Sequence, residues 1–203
     1  MYKKLVIVFE GIEGSGKSFH CNYVSNYLKR KGIAHFKLRE PGGSKNSEKI
    51  RKLILNGKSN FNKNTDLLLY LAARSENIEY LKKFYKKKII LLDRFTDSTI
   101  AYQHYGMGVD IKILKKINNY LLKFFKVDFT FLNLVNNKNM KKRLNKRKKL
   151  NRYDKFDLRF YNKVQKGFIK IAKNKKNYKI IDSNRSIEIN KFDIINKIEK
   201  LIK

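Results

Sequence analysis

The chain has 203 residues, 42% hydrophobic and 13% aromatic, which suffices for one domain with a proper core and excludes a disordered tail. Its formal net charge is +32, but Lys and Arg are spread along most of the chain, with one proline and no tryptophan. That spread reads as compositional bias from AT-rich coding, so nucleic-acid binding is not expected, although a basic surface would attract anionic nucleotides.

A single cysteine, Cys21, excludes an internal disulfide framework and fits a reducing cytoplasm. No apolar run approaches the ~20 residues needed to span a bilayer. The opening MYKKLVIVFEG has too short an apolar stretch for a secretory signal, so no membrane association is expected.

Taken in chain order, Leu5–Phe9 is the first predicted strand. Gly11–Ser18 follows as GIEGSGKS, and a helical pattern, Phe19–Lys31, runs to Gly32. In this setting Gly11, Ile12, Glu13, Gly14, Ser15 and Gly16 form a loop whose backbone N–H groups converge on phosphate. Lys17 reaches the β- and γ-phosphates, and the Ser18 hydroxyl can bind Mg²⁺. The helix N-terminus adds positive potential. Ala34–Leu38 is the second predicted strand, followed by helices over Ser47–Leu55 and Thr65–Lys87. Lys88–Leu92 is the third, and Asp93 at its end is placed to reach a metal or its waters. Ile111–Phe125 reads as an amphipathic helix. Phe129–Val135 and Tyr178–Ile181 complete five strands, with helices over Asp157–Ile171 and Ile187–Ile202. Unbroken apolar strands alternating with helices predict an α/β fold: a parallel sheet buried on both faces. Ligands then bind at the carboxyl edge of the strands. The biased run 138–155 reads either as a solvated basic face or as a lid over bound phosphates; its position after a sheet strand favours the lid.

Four further signals follow the loop: REPGGS (Arg39–Ser44), LAAR (Leu71–Arg74), DRFTDSTIAYQ (Asp93–Gln103) and NRYD (Asn151–Asp154). Together with FEGIEGSGKS, in this order and spacing, they resemble the thymidylate (dTMP) kinases, the bacterial branch in particular, over nearly the whole chain. The resemblance implies a single P-loop kinase domain over 1–203 with a five-stranded parallel sheet and a lid. It implies phosphorylation of dTMP by Mg²⁺-ATP, in the cytoplasm and as a homodimer. Another deoxynucleotide kinase on the same fold is the near alternative. A basic P-loop ATPase acting on nucleic acid is the alternative from a different class.

The resemblance also assigns roles. Arg94 and Arg51 would grip the acceptor phosphate, work suited to a permanently charged bidentate group. Tyr70 and Arg74, four apart on one helix, would stack on thymine and hydrogen-bond its O4. Ser98, Thr99 and Gln103 match positions at the base, and Tyr102 one that crowds the sugar 2′ position. Glu13 matches an acid that receives the 3′-OH, and Glu40 belongs to the acceptor side. With no arginine inside the loop, Arg143, Arg147 and Arg152 match lid positions, and Arg147 or Arg152 would close over the β/γ bridge. Lys17, Asp93, Arg94, Arg147 and Arg152 are then the catalytic set, with Ser18 and Asp93 at the metal. Departures from the pattern are Phe19 and His20 after the loop, Met107 in YGMGVD, and Asn151 and Asp154 in the lid. His20, His35 and His104 are read as structural.

Overall fold

The computed structural model describes residues 2–147 and 150–203. Residues 148 and 149 of the expected lid lie outside the described residues.

The five strands are β1 (Val6–Glu10), β2 (His35–Arg39), β3 (Ile89–Asp93), β4 (Phe129–Leu134) and β5 (Tyr178–Asp182). They form one all-parallel sheet in the order β2-β3-β1-β4-β5. β1, β3 and β4 are buried nearly throughout, as their unbroken apolar sequences require. Successive residues point to opposite faces. Ile7 and Phe9 pack with Ile89, Leu91 and Phe131 against Val24 and Leu28 of helix α1 (Lys17–Arg30) and Ile194 and Ile198 of α8 (Ile187–Ile202). Val6 and Val8 pack on the other face with Ile90, Leu92 and Phe95, and with Ile78 and Leu81 of α3 (Lys63–Leu81). Cys21 is a buried packing residue of the first cluster.

The remaining helices are α2 (Lys45–Leu55), α4 (Thr96–Thr99), α5 (Ile111–Leu121), α6 (Asn137–Asn145) and α7 (Leu158–Ala172). α4 runs directly into a π-helical segment, Ile100–Gly106, which the sequence pattern did not reveal. α3 stops six residues before its expected end at Lys87, and Lys86 has a positive φ of 59°. Tyr80 in its last turn and Phe84 in the turn that follows both close on Phe36 of β2, so the chain folds back on the sheet there instead of continuing as helix. The expected lid begins as α6 and ends in a short 3₁₀ turn, Tyr153–Lys155. The phosphate loop and Asp93 come together because the sheet registers Phe9 against Asp93 and Glu10 against Leu132. The ends of β1 and β3 therefore lie within a residue of each other at one edge, and β4 runs two residues further. Among the described residues, no helix is long and apolar enough to cross a membrane.

Candidate active site

The loop after β1 is built from positive-φ glycines. Gly11 (φ 140°) is the tightest: a Cβ there would stand 2.4 Å from the Asn133 carbonyl oxygen of β4 and 2.7 Å from Ser15 Oγ. Only glycine lets the loop lie this close to the neighbouring strand. Gly16, also left-handed, precedes α1, so the helix begins at Lys17 with no side-chain cap and its N–H groups face the loop. Lys17 is buried, its Nζ 3.3 Å from the Ile12 carbonyl. Burial, followed by the nearby Arg94, pushes its pKa down to about 8.

The loop opens onto a cavity of about 550 Å³. Glu13, Lys17, Ser18, Asp93, Arg94 and Arg147 line it on the phosphate side. Glu40, Arg51, Tyr70, Ser98, Tyr102 and Gln103 also line it, so twelve of the expected side chains meet in one space. Asp93 ends β3 with one buried oxygen, Oδ1, that has no hydrogen-bond partner. A buried carboxylate oxygen without a partner and a serine hydroxyl lining the same cavity are oxygen donors that suit a hard cation such as Mg²⁺, which keeps several water ligands. Among the described residues no cluster of three or more His, Cys, Asp and Glu could hold a metal alone, so these two oxygens would share the ion with substrate and water.

Arg94 is the hub. Its backbone is left-handed (φ 69°) immediately after the strand, a conformation disfavoured for a side chain with a Cβ. The turn directs its guanidinium back across the loop. It donates to Gly11 O at 2.8 Å, Glu13 Oε1 at 2.7 Å, Ser98 Oγ at 3.1 Å and Tyr102 Oη at 3.3 Å, and lies over the Tyr102 ring. Tyr102 donates its hydroxyl to the other Glu13 oxygen. Burial alone would raise the Glu13 pKa, but Arg94 and then Lys17 outweigh it and hold the carboxyl below its usual value. Arg51 is anchored on the Pro41 carbonyl at 2.6 Å, beside a cis Glu40–Pro41 bond.

Three expected contacts take a different form. Arg74 does not line the cavity: its guanidinium is 1% exposed and donates to Glu40 Oε2 at 2.8 and 2.9 Å and to Asn118 Oδ1 at 2.9 Å. Tyr70, one turn earlier on the same helix, lines the cavity, whereas the Arg74 guanidinium is taken up by Glu40 and Asn118. Thr99 is fully buried behind the cavity, its hydroxyl without a partner. Arg152 pairs with Asp66 and packs over Tyr153 and Phe61, outside the cavity, whereas Arg147 lines it while paired with Asp154. Of the two lid arginines expected over the β/γ bridge, Arg147 lines the cavity and Arg152 does not. Arg143 lies beside the loop, donating to Gly14 O at 2.9 Å and Ser183 O at 2.6 Å, on a smaller cavity of about 190 Å³ shared with Phe19 and His20.

Two acids that matter escaped the sequence reading. Glu10 is buried at the end of β1 and accepts from Phe95 N (2.8 Å), Ser98 N (3.2 Å) and Ser98 Oγ (2.5 Å), which fixes the turn carrying Arg94. Burial, reinforced by Asp97, pushes its pKa up to about 8. A carboxylate closing an apolar strand, VIVFE, was the available signal. Asp66 lies in the first turn of α3, where an acid is ordinary, so its position carries no signal of its own. His20 is buried, with Nδ1 2.7 Å from Asn133 Nδ2; His35 and His104 bond locally, and none of the three lines the main cavity.

A parallel 2-3-1-4-5 sheet with a glycine phosphate loop, a strand-end Asp and an arginine-lined second cavity wall defines a P-loop nucleotide kinase. The family model of thymidylate kinase matches residues 9–194. The thymidylate kinase of Thermosipho africanus is 38% identical over 186 residues, covering 91% of this chain and 92% of that one. That of Wolbachia pipientis wMel is 39% identical over 83% of this chain and 85% of its own. The crystal structure of thymidylate kinase from Ehrlichia chaffeensis superposes with a TM-score of 0.79 at 30% identity, covering 97% and 99% of the two chains. The chain belongs to the thymidylate kinase family.

Proposed function

We propose that this protein transfers the γ-phosphoryl group of ATP to dTMP, giving ADP and dTDP. The observation that carries the reading is the meeting, in one cavity, of a donor-phosphate loop with a second anion grip, Arg94 and Arg51, beside an aromatic side chain, Tyr70. The acceptor is a phosphate monoester with a second pKa near ~6, so it is already a nucleophilic dianion at neutral pH and needs no general base. What the protein supplies is position and charge. Lys17 and the loop amides hold the donor phosphates. Arg94 exchanges part of its contact with Glu13 for the acceptor phosphate, which leaves Glu13 free to accept from the sugar 3′-OH. Tyr102, fixed by Arg94 and Glu13, stands where a ribose 2′-OH would clash. Tyr70 stacks on the base. Arg147 swings from Asp154 toward the bridging oxygen. Mg²⁺, held through Ser18 and Asp93, would neutralise phosphate charge.

The same proposal includes a homodimer and a cytoplasmic setting. Exposed Leu53, Leu68 and Ile113 lie on helices α2, α3 and α5, and α3 packs against both others, so they offer apolar surface for a second copy. The test is ADP release from Mg²⁺-ATP with dTMP, its ribose analogue, dUMP, dGMP and AMP. Turnover with dTMP and little with the ribose analogue is expected. A preference for a purine monophosphate would overturn the substrate assignment, and activity only with added DNA or RNA would overturn the kinase reading.

A further inference from the structure

Asp66 is wholly buried at the start of α3, and three side chains converge on its carboxyl. Gln103 donates its amide nitrogen to Oδ2 at 3.0 Å, Tyr153 donates its hydroxyl to the same oxygen at 2.5 Å, and the Arg152 guanidinium pairs with Oδ1. A carboxylate paired with arginine has no hydrogen to give. The Gln103 amide can therefore face it only nitrogen-first, so its orientation is set by chemistry. The opposite end of that amide, Oε1, is buried and has no partner, and Gln103 lines the 550 Å³ cavity beside Tyr70. A lone buried acceptor is costly unless something donates to it.

We propose that Asp66 is a positioning residue that sets the hydrogen-bond polarity of the base pocket. By holding the Gln103 nitrogen it presents only an acceptor to the ligand, and so selects a base edge carrying an N–H. Thymine and uracil present N3–H; cytosine presents a bare N3, which would face Oε1 lone pair to lone pair. The same carboxylate is gripped by Arg152 and Tyr153 from the end of the lid segment, so docking of that segment and orientation of the amide share one anchor. This rests on the dTMP reading and adds how the pyrimidine is chosen.

The experiment compares kcat/KM for dTMP, dUMP and dCMP in the wild type, Asp66→Asn and Gln103→Leu. Asparagine at 66 can donate, which lets Gln103 turn its nitrogen to the cavity. The dTMP-to-dCMP preference should fall by about 100-fold in Asp66→Asn, because the penalty of unmatched buried polar groups is removed. The dTMP-to-dUMP ratio, which depends on a methyl group, should stay within about twofold. Gln103→Leu should also lower the dTMP-to-dCMP preference. Loss of rate with both ratios unchanged would overturn the proposal and leave Asp66 a purely structural acid. A direct readout needs no variant and no turnover: the Gln103 side-chain NH₂ of the ligand-free wild type should be protected from solvent exchange in NMR spectra. Free exchange would overturn the assignment even if dTMP is the substrate. Protection in a protein that ignores pyrimidine monophosphates would uphold the orientation while overturning the substrate reading.

Discussion

His20 is a neutral histidine that the fold cannot afford to protonate. Its Nδ1 sits 2.7 Å from the Asn133 side-chain nitrogen, which also donates to Ser183 Oγ at 3.2 Å. With the Asn133 nitrogen facing it, Nδ1 is the acceptor of that pair. Burial, and then the charges of Arg143 and Lys191, push its pKa from 6.5 down to about 4. Between those values the unfolded chain binds a proton that the folded chain refuses, so stability is present above pH 6.5 and is lost as the pH falls toward 4. At about pH 4.5 the linkage integral gives about 2.5 kcal/mol, good to about one pKa unit. The perturbation is His20→Gln, which keeps an acceptor for Asn133 and removes the titration. Denaturant unfolding of both proteins near pH 7 and near pH 4.5 measures it. The wild type should lose about 2.5 kcal/mol more than the variant over that interval. Equal losses, within about 0.5 kcal/mol, would refute the neutral, buried assignment.

Lys17→Met should lower kcat by at least about 10²-fold, as for loss of a preorganised charge contact. Because the Lys17 pKa is near 8, the KM for ATP of the wild type should rise as the pH passes 8, and that rise should flatten in Lys17→Arg. Arg147→Ala should cost roughly 10³-fold in kcat, the scale of an arginine that stabilises transferring phosphoryl. Arg152→Ala should act mainly on the KM for dTMP; a larger kcat loss than for Arg147→Ala would reverse the two roles. Gly11→Ala should destabilise by roughly 3 kcal/mol or more through strain and overpacking, seen as a lower Tm. A folded, active Gly11→Ala enzyme would mean the loop lies further from β4.

Most of the architecture was legible before any coordinates. Five apolar strands, each followed by a helical period, leave few arrangements open, and the observed strands agree with the expected ones to within a residue or so at each end, although only the central β1, β3 and β4 are buried nearly throughout and the edge strands β2 and β5 are largely half-exposed. The loop spacing Gly11–Ser18 and the carboxylate Asp93 after an apolar run carried their chemistry in their local order. The π-helical segment Ile100–Gly106 was not legible, because it is stabilised by packing on α7 and not by its own pattern. Which arginines face the cavity was not legible either. Arg74 and Arg94 are equally charged, but the first is buried away from the cavity, paired with Glu40 and bonded to Asn118, while a left-handed turn held by Glu10 carries the second to the cavity wall beside Glu13.

The sequence by itself determined the sheet, the phosphate loop and the family, because these depend on local periodicity and short fixed spacings. The tertiary structure alone decided which charges are free to meet a ligand. That depends on partners such as Asp66 and Gln103, 37 positions apart, which only the packing of α3 against the π-helical segment brings within 3.0 Å.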